Sequence, residues 1–128
     1  MSIEMWSIFA LATMLLLLTV TQGALTPITQ GLRWGLGGRD QPMEKSALQL
    51  RFARTVQNHI EGMLIFVPLM ALAIYRGIEN EQTALAAWMA IGGRAAFIPL
   101  YIGGVFALRS LSYGVFVVGV LILILQLV

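Results

Sequence analysis

Four polar side chains occur at helical spacing inside a segment that is otherwise apolar. They lie in the sequence RFARTVQNHIE and are Arg51, Arg54, Asn58 and Glu61. On an α-helix, at about 100° per residue, all four fall within a stripe about 80° wide, and His59 falls outside it. A charge near the centre of a bilayer costs roughly 3 to more than 10 kcal/mol. The pattern therefore predicts that the stripe faces a protein interior or a wet cavity and binds a ligand there.

A second stripe of the same kind follows later in the chain. Arg94, Phe97 and Tyr101 have the spacing that places them on one face of a helix, so two neighbouring helices are predicted to share a polar seam. Arginine binds carboxylates through paired hydrogen bonds, glutamate accepts from an ammonium group, and asparagine both donates and accepts. A purely structural alternative, in which an arginine neutralises Glu61, leaves two of the three arginines uncompensated. The seam is therefore predicted to bind an anion that carries carboxylates and an amine.

Arg109 precedes the last apolar segment, where its own charge and the positive end of the following helix favour an anion. A thiol bound there would have a lowered pKa and become a thiolate. The chain has no cysteine, so the thiol would have to come from the substrate. A lone histidine off the stripe, His59, is interpreted as a residue that hydrogen-bonds two helices, and no metal site is predicted. The sequence thus predicts one catalytic residue, Arg109, and six substrate-binding residues: Arg51, Arg54, Asn58, Glu61, Arg94 and Tyr101.

The elements that position these residues are transmembrane helices. Apolar residues make up 59% of the 128 residues and charged residues only 11%, against about 25% charged in soluble domains. Spans are predicted at about 5–25, 46–75, 83–106 and 111–128, the first ending before Pro27 and followed by a glycine-rich loop at 30–44. The N-terminal segment contains Glu4 and no basic residue, which favours a retained helix over a signal peptide. We predict a single all-α domain over 1–128, an integral membrane four-helix bundle.

The distribution of charge predicts the orientation in the membrane. The first loop contains Arg33, Arg39 and Lys45 and shares its side with Arg109, whereas the opposite side has only Arg76. By the positive-inside rule, the first loop and Arg109 are predicted to face the cytoplasm. Charges outside the two stripes cancel, so the net charge of +2 belongs to the stripes. A nucleic-acid partner is therefore not predicted.

The first motif, R-x-x-R-x-x-x-N-x-x-E, resembles the signature of the MAPEG family (membrane-associated proteins in eicosanoid and glutathione metabolism). So do the later R-x-x-[aromatic]-x-x-x-Y and the arginine before the last span, and the similarity covers nearly the whole chain. The resemblance implies a homotrimer in a membrane, for this chain a bacterial inner membrane. It also implies glutathione as co-substrate, bound between subunits near the cytosolic face, and lipophilic small molecules as second substrates. Arg54, Asn58 and Glu61 would hold glutathione with Arg51 near its entrance, Arg94 and Tyr101 would complete the pocket, and Arg109 would stabilise the thiolate.

Two positions and one spacing depart from the family pattern, so the chain resembles a divergent bacterial-type member rather than an eicosanoid synthase. Phe97 stands where active members commonly have a tyrosine, and Gly62 stands where some eicosanoid-producing members have one. The spacing from Tyr101 to Arg109 is one residue longer than in those members. Three function classes therefore stay open: a glutathione transferase or peroxidase, a non-catalytic protein that binds or transports a small anion, and a structural membrane subunit with a vestigial site.

Overall fold

The chain folds into long helices that lie side by side. The computed structural model describes residues 1–38, 40 and 44–128. Over those residues it has five helices and no strand: α1 Ile3–Gln30, α2 Leu32–Leu36, α3 Ala47–Tyr75, α4 Glu81–Ile102 and α5 Phe106–Leu127. All but α2 are long and apolar enough to cross a membrane, because 22 residues already extend about 33 Å. The predicted all-α bundle with four spans is confirmed.

Side-chain caps fix where α3 and α4 begin. Ser46 accepts a hydrogen bond from the backbone N–H of Gln49 at 3.2 Å, and the Gln49 side chain accepts from the Ser46 N–H at 2.9 Å. Asn80 and Thr83 form the same reciprocal arrangement at the start of α4. Such capping boxes satisfy N–H groups that have no partner within the helix. The polar residue on the stripe nearest to the start of α3, Arg51, therefore lies little more than one turn into the helix.

The helix ends differ from the predicted ones at two places. α1 does not end before Pro27 but continues to Gln30, because a proline removes only one backbone donor and the end of α1 is held from outside. The hydroxyl of Thr29 donates to Leu25 O at 2.7 Å and accepts from Gln49 Nε2 of α3 at 2.6 Å. The predicted loop also begins with the short helix α2, while Arg39 and Pro42 of that loop lie outside the described residues.

The turn between α4 and α5 comes earlier than predicted. α4 ends at Ile102 rather than at 106, and α5 begins at Phe106 rather than at 111. Gly104 adopts a φ of 75°, a left-handed conformation that glycine tolerates and that ends a helix. The apolar residues that follow it, which read as a continuation of the third span, belong instead to the first turn of α5. Arg109 is thus a helical residue and not part of a turn.

The core lies where α1, α3, α4 and α5 meet. Phe66 and Met70 of α3 pack there with small residues of α4 and with Phe116 and Leu123 of α5. α4 and α5 approach closely, since a Cβ at Gly93 would lie 2.9 Å from Ser112 O and one at Gly119 would lie 3.0 Å from the Cβ of Met89. Large apolar side chains cover much of the outer surface, as expected for helices in contact with lipid.

Candidate functional site

The polar stripe of α3 lies at the edge of the protomer. The face of α3 that is buried in the bundle contains Thr55, His59 and Gly62. Beside it, Asn58 and Arg51 are half-buried, whereas Arg54 and Glu61 are exposed. The four residues share one side of the helix, as their spacing predicts. That side faces partly outwards and does not form the centre of the protomer.

Arg94 of α4 is the best buried polar side chain of the group, with 1% of its surface exposed. Its Nη1 donates to Asn58 Oδ1 at 2.5 Å, which joins the two stripes. The guanidinium carbon lies 4.0 Å from the centre of the Phe116 ring and 5.6 Å from the centres of the Phe97 and Tyr113 rings. Aromatic faces attract cations, by about 2 kcal/mol or more where water is excluded. The seam predicted between the stripes therefore exists at the Asn58–Arg94 pair.

No carboxylate of the described residues contacts this arginine, although Glu61 acts on it electrostatically at longer range. Across the described residues, no arginine side chain lies within 4.0 Å of a carboxylate oxygen. Glu61 accepts instead from Nε2 of Gln57 at 2.9 Å, one turn earlier on α3. The alternative in which Glu61 is paired with an arginine is therefore not the arrangement in the protomer. Sequence reasoning did not single out Gln57, although its i, i+4 spacing to Glu61 is the signal that indicates such a pair.

Arg51 is already engaged with the polypeptide. Its Nε donates to the carbonyl oxygen of Ile102, the last residue of α4, at 2.8 Å. The last carbonyl groups of a helix have no partner within it, and a basic side chain commonly satisfies them. Arg51 thus joins the start of α3 to the end of α4. Arg54, one turn further along, has no such contact and is exposed.

Arg109 and Tyr101 come together despite their longer spacing. The guanidinium carbon of Arg109 lies 4.7 Å from the centre of the Tyr101 ring and 5.1 Å from that of Phe106. The Tyr101 ring is 5.4 Å from the Phe97 ring, which in turn contacts the guanidinium of Arg94. The short turn at Gly104 brings the first turn of α5 back over the end of α4. A continuous row of aromatic rings therefore connects the two arginines.

Two residues of α5 in this row were not predicted. Tyr113 and Phe116 contact Arg94, and their rings are 6.5 Å apart. The residues of α5 are almost all apolar, and aromatic residues in such a span are predicted to face lipid or the core. The one available signal was the i, i+4 spacing of Arg109 and Tyr113, which places both on one side of the helix.

His59 has the role that its position off the stripe predicts. It is 1% exposed, and its Nε2 lies 2.9 Å from the carbonyl oxygen of Leu11 in α1. A carbonyl only accepts, so Nε2 carries the proton and the bond joins α1 to α3. The interpretation of His59 as a helix–helix hydrogen-bonding residue is confirmed. Among the described residues no cluster of histidine, aspartate and glutamate has the geometry of a metal site.

A polar cavity of about 330 Å³ lies elsewhere, between α1, α2 and the start of α3. Lys45, Gln49 and Phe52 line it from the α3 side. Of these, Gln49 and Phe52 lie about 120–180° around α3 from Asn58, at about 100° per residue, and Lys45 precedes the helix. None of the predicted site residues lines this cavity. Because Arg54 and Glu61 are exposed, the site on α3 and α4 lies at an open edge of the single chain.

Together, the fold and the site define a small integral membrane protein of four spanning helices with an uncompensated cationic site along one edge. The chain belongs to the MAPEG family, whose model matches residues 3–128, and the resemblance seen in the motifs is confirmed. MAPEG proteins are associated with glutathione, commonly form trimers, and include glutathione transferases and peroxidases as well as other members. Comparison with curated proteins and with solved structures gave no match.

Proposed function

We propose that the protein is a membrane-bound glutathione transferase or peroxidase that acts on lipophilic electrophiles or hydroperoxides. The observation that carries this proposal is the unpaired charge along the α3 edge. Arg54 and Glu61 stand exposed on a membrane-spanning helix, on either side of the Asn58–Arg94 pair, and neither has an ion pair with another described residue. Glutathione has two carboxylates, an ammonium group and a thiol, so each exposed charge has a complement in it. Membership of a glutathione-associated family supports the same assignment.

Each residue of the site is proposed to contact a different group of glutathione. Arg54 binds a carboxylate, and Glu61 accepts from the ammonium group, with Gln57 holding its Oε1. Arg51 stands at the cytoplasmic entrance, where its Nε is committed to Ile102 O and its positive charge favours the incoming anion. Tyr101 completes the pocket from α4. Arg94 and Asn58 form the wall between the two helices.

To Arg109 we assign the role of favouring the thiolate. It lies in the first turn of α5, where its charge and the unpaired N–H groups of the helix both favour an anion. In a transferase reaction the thiolate sulfur bonds to the electrophilic carbon, and the leaving group departs with the electron pair. In a peroxidase reaction the thiolate sulfur attacks the terminal oxygen of the hydroperoxide and the O–O bond breaks. The departing alkoxide takes a proton to become the alcohol, and glutathione is left as its sulfenic acid. A second glutathione then displaces hydroxide from the sulfenic acid, giving the disulfide and water.

A homotrimer with glutathione between neighbouring subunits is part of the proposal. Arg54 and Glu61 are exposed in the single protomer, and a second copy of the chain against this edge would remove their charges from lipid. Lipids and lipophilic substrates contact the apolar outer faces. We place the protein in a bacterial inner membrane, with the first loop and Arg109 on the cytoplasmic side. The mass of the detergent-solubilised protein tests the trimer.

Stopped-flow absorbance at the thiolate band, with glutathione mixed into the purified protein, tests the activity. We expect a thiolate signal that Arg109→Ala abolishes without abolishing binding, and weaker binding in Glu61→Ala or Asn58→Ala. Arg76→Ala, which removes a positive charge at the opposite end of the bundle, serves as the control. Binding without a thiolate signal would indicate a non-catalytic anion-binding or transport protein. Absence of binding by calorimetry would indicate a structural subunit with a vestigial site.

A further inference from the structure

The side-chain amide of Asn58 has its orientation fixed by chemistry. A guanidinium has five N–H donors and no acceptor, so its hydrogen bond to an asparagine uses the amide oxygen. Arg94 Nη1 therefore holds Oδ1 of Asn58 on the inner side. Among the described residues, Nδ2 donates to no group, and it is not one of the buried unpartnered atoms. Asn58 is half-buried, and with Oδ1 held by Arg94 the group of its amide that is left to bind a ligand is the Nδ2 donor.

Arg94 is held in place from behind. Three aromatic rings contact its guanidinium, and Gly62 of α3 leaves the space into which it fits. A Cβ at position 62 would lie 2.6 Å from Cζ of Arg94 and would overlap Nη2. With 1% of its surface exposed, the side chain is covered on all sides. The Arg94 guanidinium is thus reached through Asn58 and not directly.

We propose that Arg94 is a positioning residue, and that it makes Asn58 a donor-only group that binds an acceptor oxygen of the ligand, a carboxylate or a peptide carbonyl. This inference rests on the proposed function for the identity of the ligand, glutathione. It changes two of the sequence predictions, in which Asn58 both donates and accepts and Arg94 touches the substrate. Gly62 stands where some eicosanoid-producing members of the family have a tyrosine, and in this protein its lack of a side chain leaves room for the Arg94 guanidinium.

Asn58→Asp is the sharpest test, because it replaces only the donor end of the amide. The carboxylate still accepts from Arg94, so the variant should fold and melt no lower than the wild type. Its outer oxygen now repels the acceptor of the ligand, so calorimetry should show glutathione affinity reduced by about ten- to a hundredfold. An Asn58→Asp protein that binds glutathione like the wild type, or that melts well below it, would overturn the proposal.

A double-mutant cycle separates positioning from direct contact. If Arg94 acts through Asn58, Arg94→Met should weaken glutathione binding in the wild type but change it little in an Asn58→Ala background. Losses that add in the double variant would mean that Arg94 contacts the ligand itself, and would refute the proposal. Arg94→Lys keeps a donor for Asn58 Oδ1 and should retain more affinity than Arg94→Met. The reverse order would also count against positioning.

The same proteins distinguish failure of this inference from failure of the proposed function. If the wild type does not bind glutathione, the proposed function is wrong, and the melting temperatures of the four proteins in the cycle then decide the inference. Positioning requires that the effects of Arg94→Met and Asn58→Ala on the melting temperature be non-additive and that Asn58→Asp not lower it. Additive effects would show that the two side chains are not coupled, and the inference would then fall independently of the ligand.

Discussion

Substituting Gly62 by alanine tests the geometry around Arg94 most directly. The new Cβ would overlap Nη2 of Arg94 and approach Nε to 3.0 Å. A flexible side chain usually moves away at little cost, but this guanidinium is enclosed by Phe116, Phe97 and Tyr113. The protein must either accept the overpacking, at about 1–3 kcal/mol, or give up the charged hydrogen bond to Asn58, at about 1.5–3 kcal/mol. Since alanine is the better helix former by about 1 kcal/mol, the net loss of stability should be at most about 2 kcal/mol.

Gly92→Ala is the matched control, because a Cβ there meets nothing within 4 Å. The gain in helix propensity is common to both substitutions, so the difference between them isolates the steric cost, about 1–3 kcal/mol. Chemical unfolding in mixed micelles, followed by tryptophan fluorescence, measures both. In an Arg94→Ala background the guanidinium is gone, and Gly62→Ala should then behave like Gly92→Ala. Equal stability of the two alanine variants in the presence of Arg94 would refute this account of Gly62.

Two further predictions separate structural from ligand-binding roles. Arg51→Ala should lower the unfolding free energy by about 1–2 kcal/mol, since Ile102 O loses its charged donor. Arg54→Ala should leave the unfolding free energy unchanged and weaken glutathione binding. If Arg54→Ala destabilises the protein and Arg51→Ala only weakens binding, the structural role belongs to Arg54 and the binding role to Arg51. His59→Leu should cost about 1 kcal/mol through the lost bond to Leu11 O, and the glutathione affinity of the folded protein should be unchanged. If calorimetry shows a large loss of glutathione affinity in His59→Leu, His59 belongs to the ligand-binding site.

The spans were predictable from the sequence, but not all of their ends. Apolar length alone specifies four crossings, because a helix is the conformation in which a single segment satisfies its backbone in lipid. Pro27 did not end α1, since the structure around it depends on Gln49, which is 20 residues away from Thr29 in the chain. Gly104 did end a helix, although the apolar residues after it suggested continuation. Whether such residues terminate a helix is decided by tertiary contacts and φ angles that hydropathy does not record.

The membership of the site was only partly predictable for a similar reason. Helical spacing identified which residues of α3 share a side and which of α4 do, and the Asn58–Arg94 bond joins those two sides. Spacing within a helix carries no information about a third helix, so Tyr113 and Phe116 were missed. The role of Gly62 was also not predictable, because the sequence shows that this position has no side chain but not that the Arg94 guanidinium fills the space.

Among the described residues no carboxylate contacts Arg94, and Glu61 acts on it only at longer range, which argues for a ligand on this edge. A close ion pair recovers part of the desolvation cost of a buried charge, whereas the amide and three rings around Arg94 recover only about a few kcal/mol of a larger cost. A leucine or methionine would fill the same space without that cost. The charge instead fixes the orientation of Asn58, one side chain away from Arg54 and Glu61 at the accessible surface. Burying Arg94 costs stability but orients Asn58 for binding, which is why we infer that the edge binds an anion and does not merely join two helices.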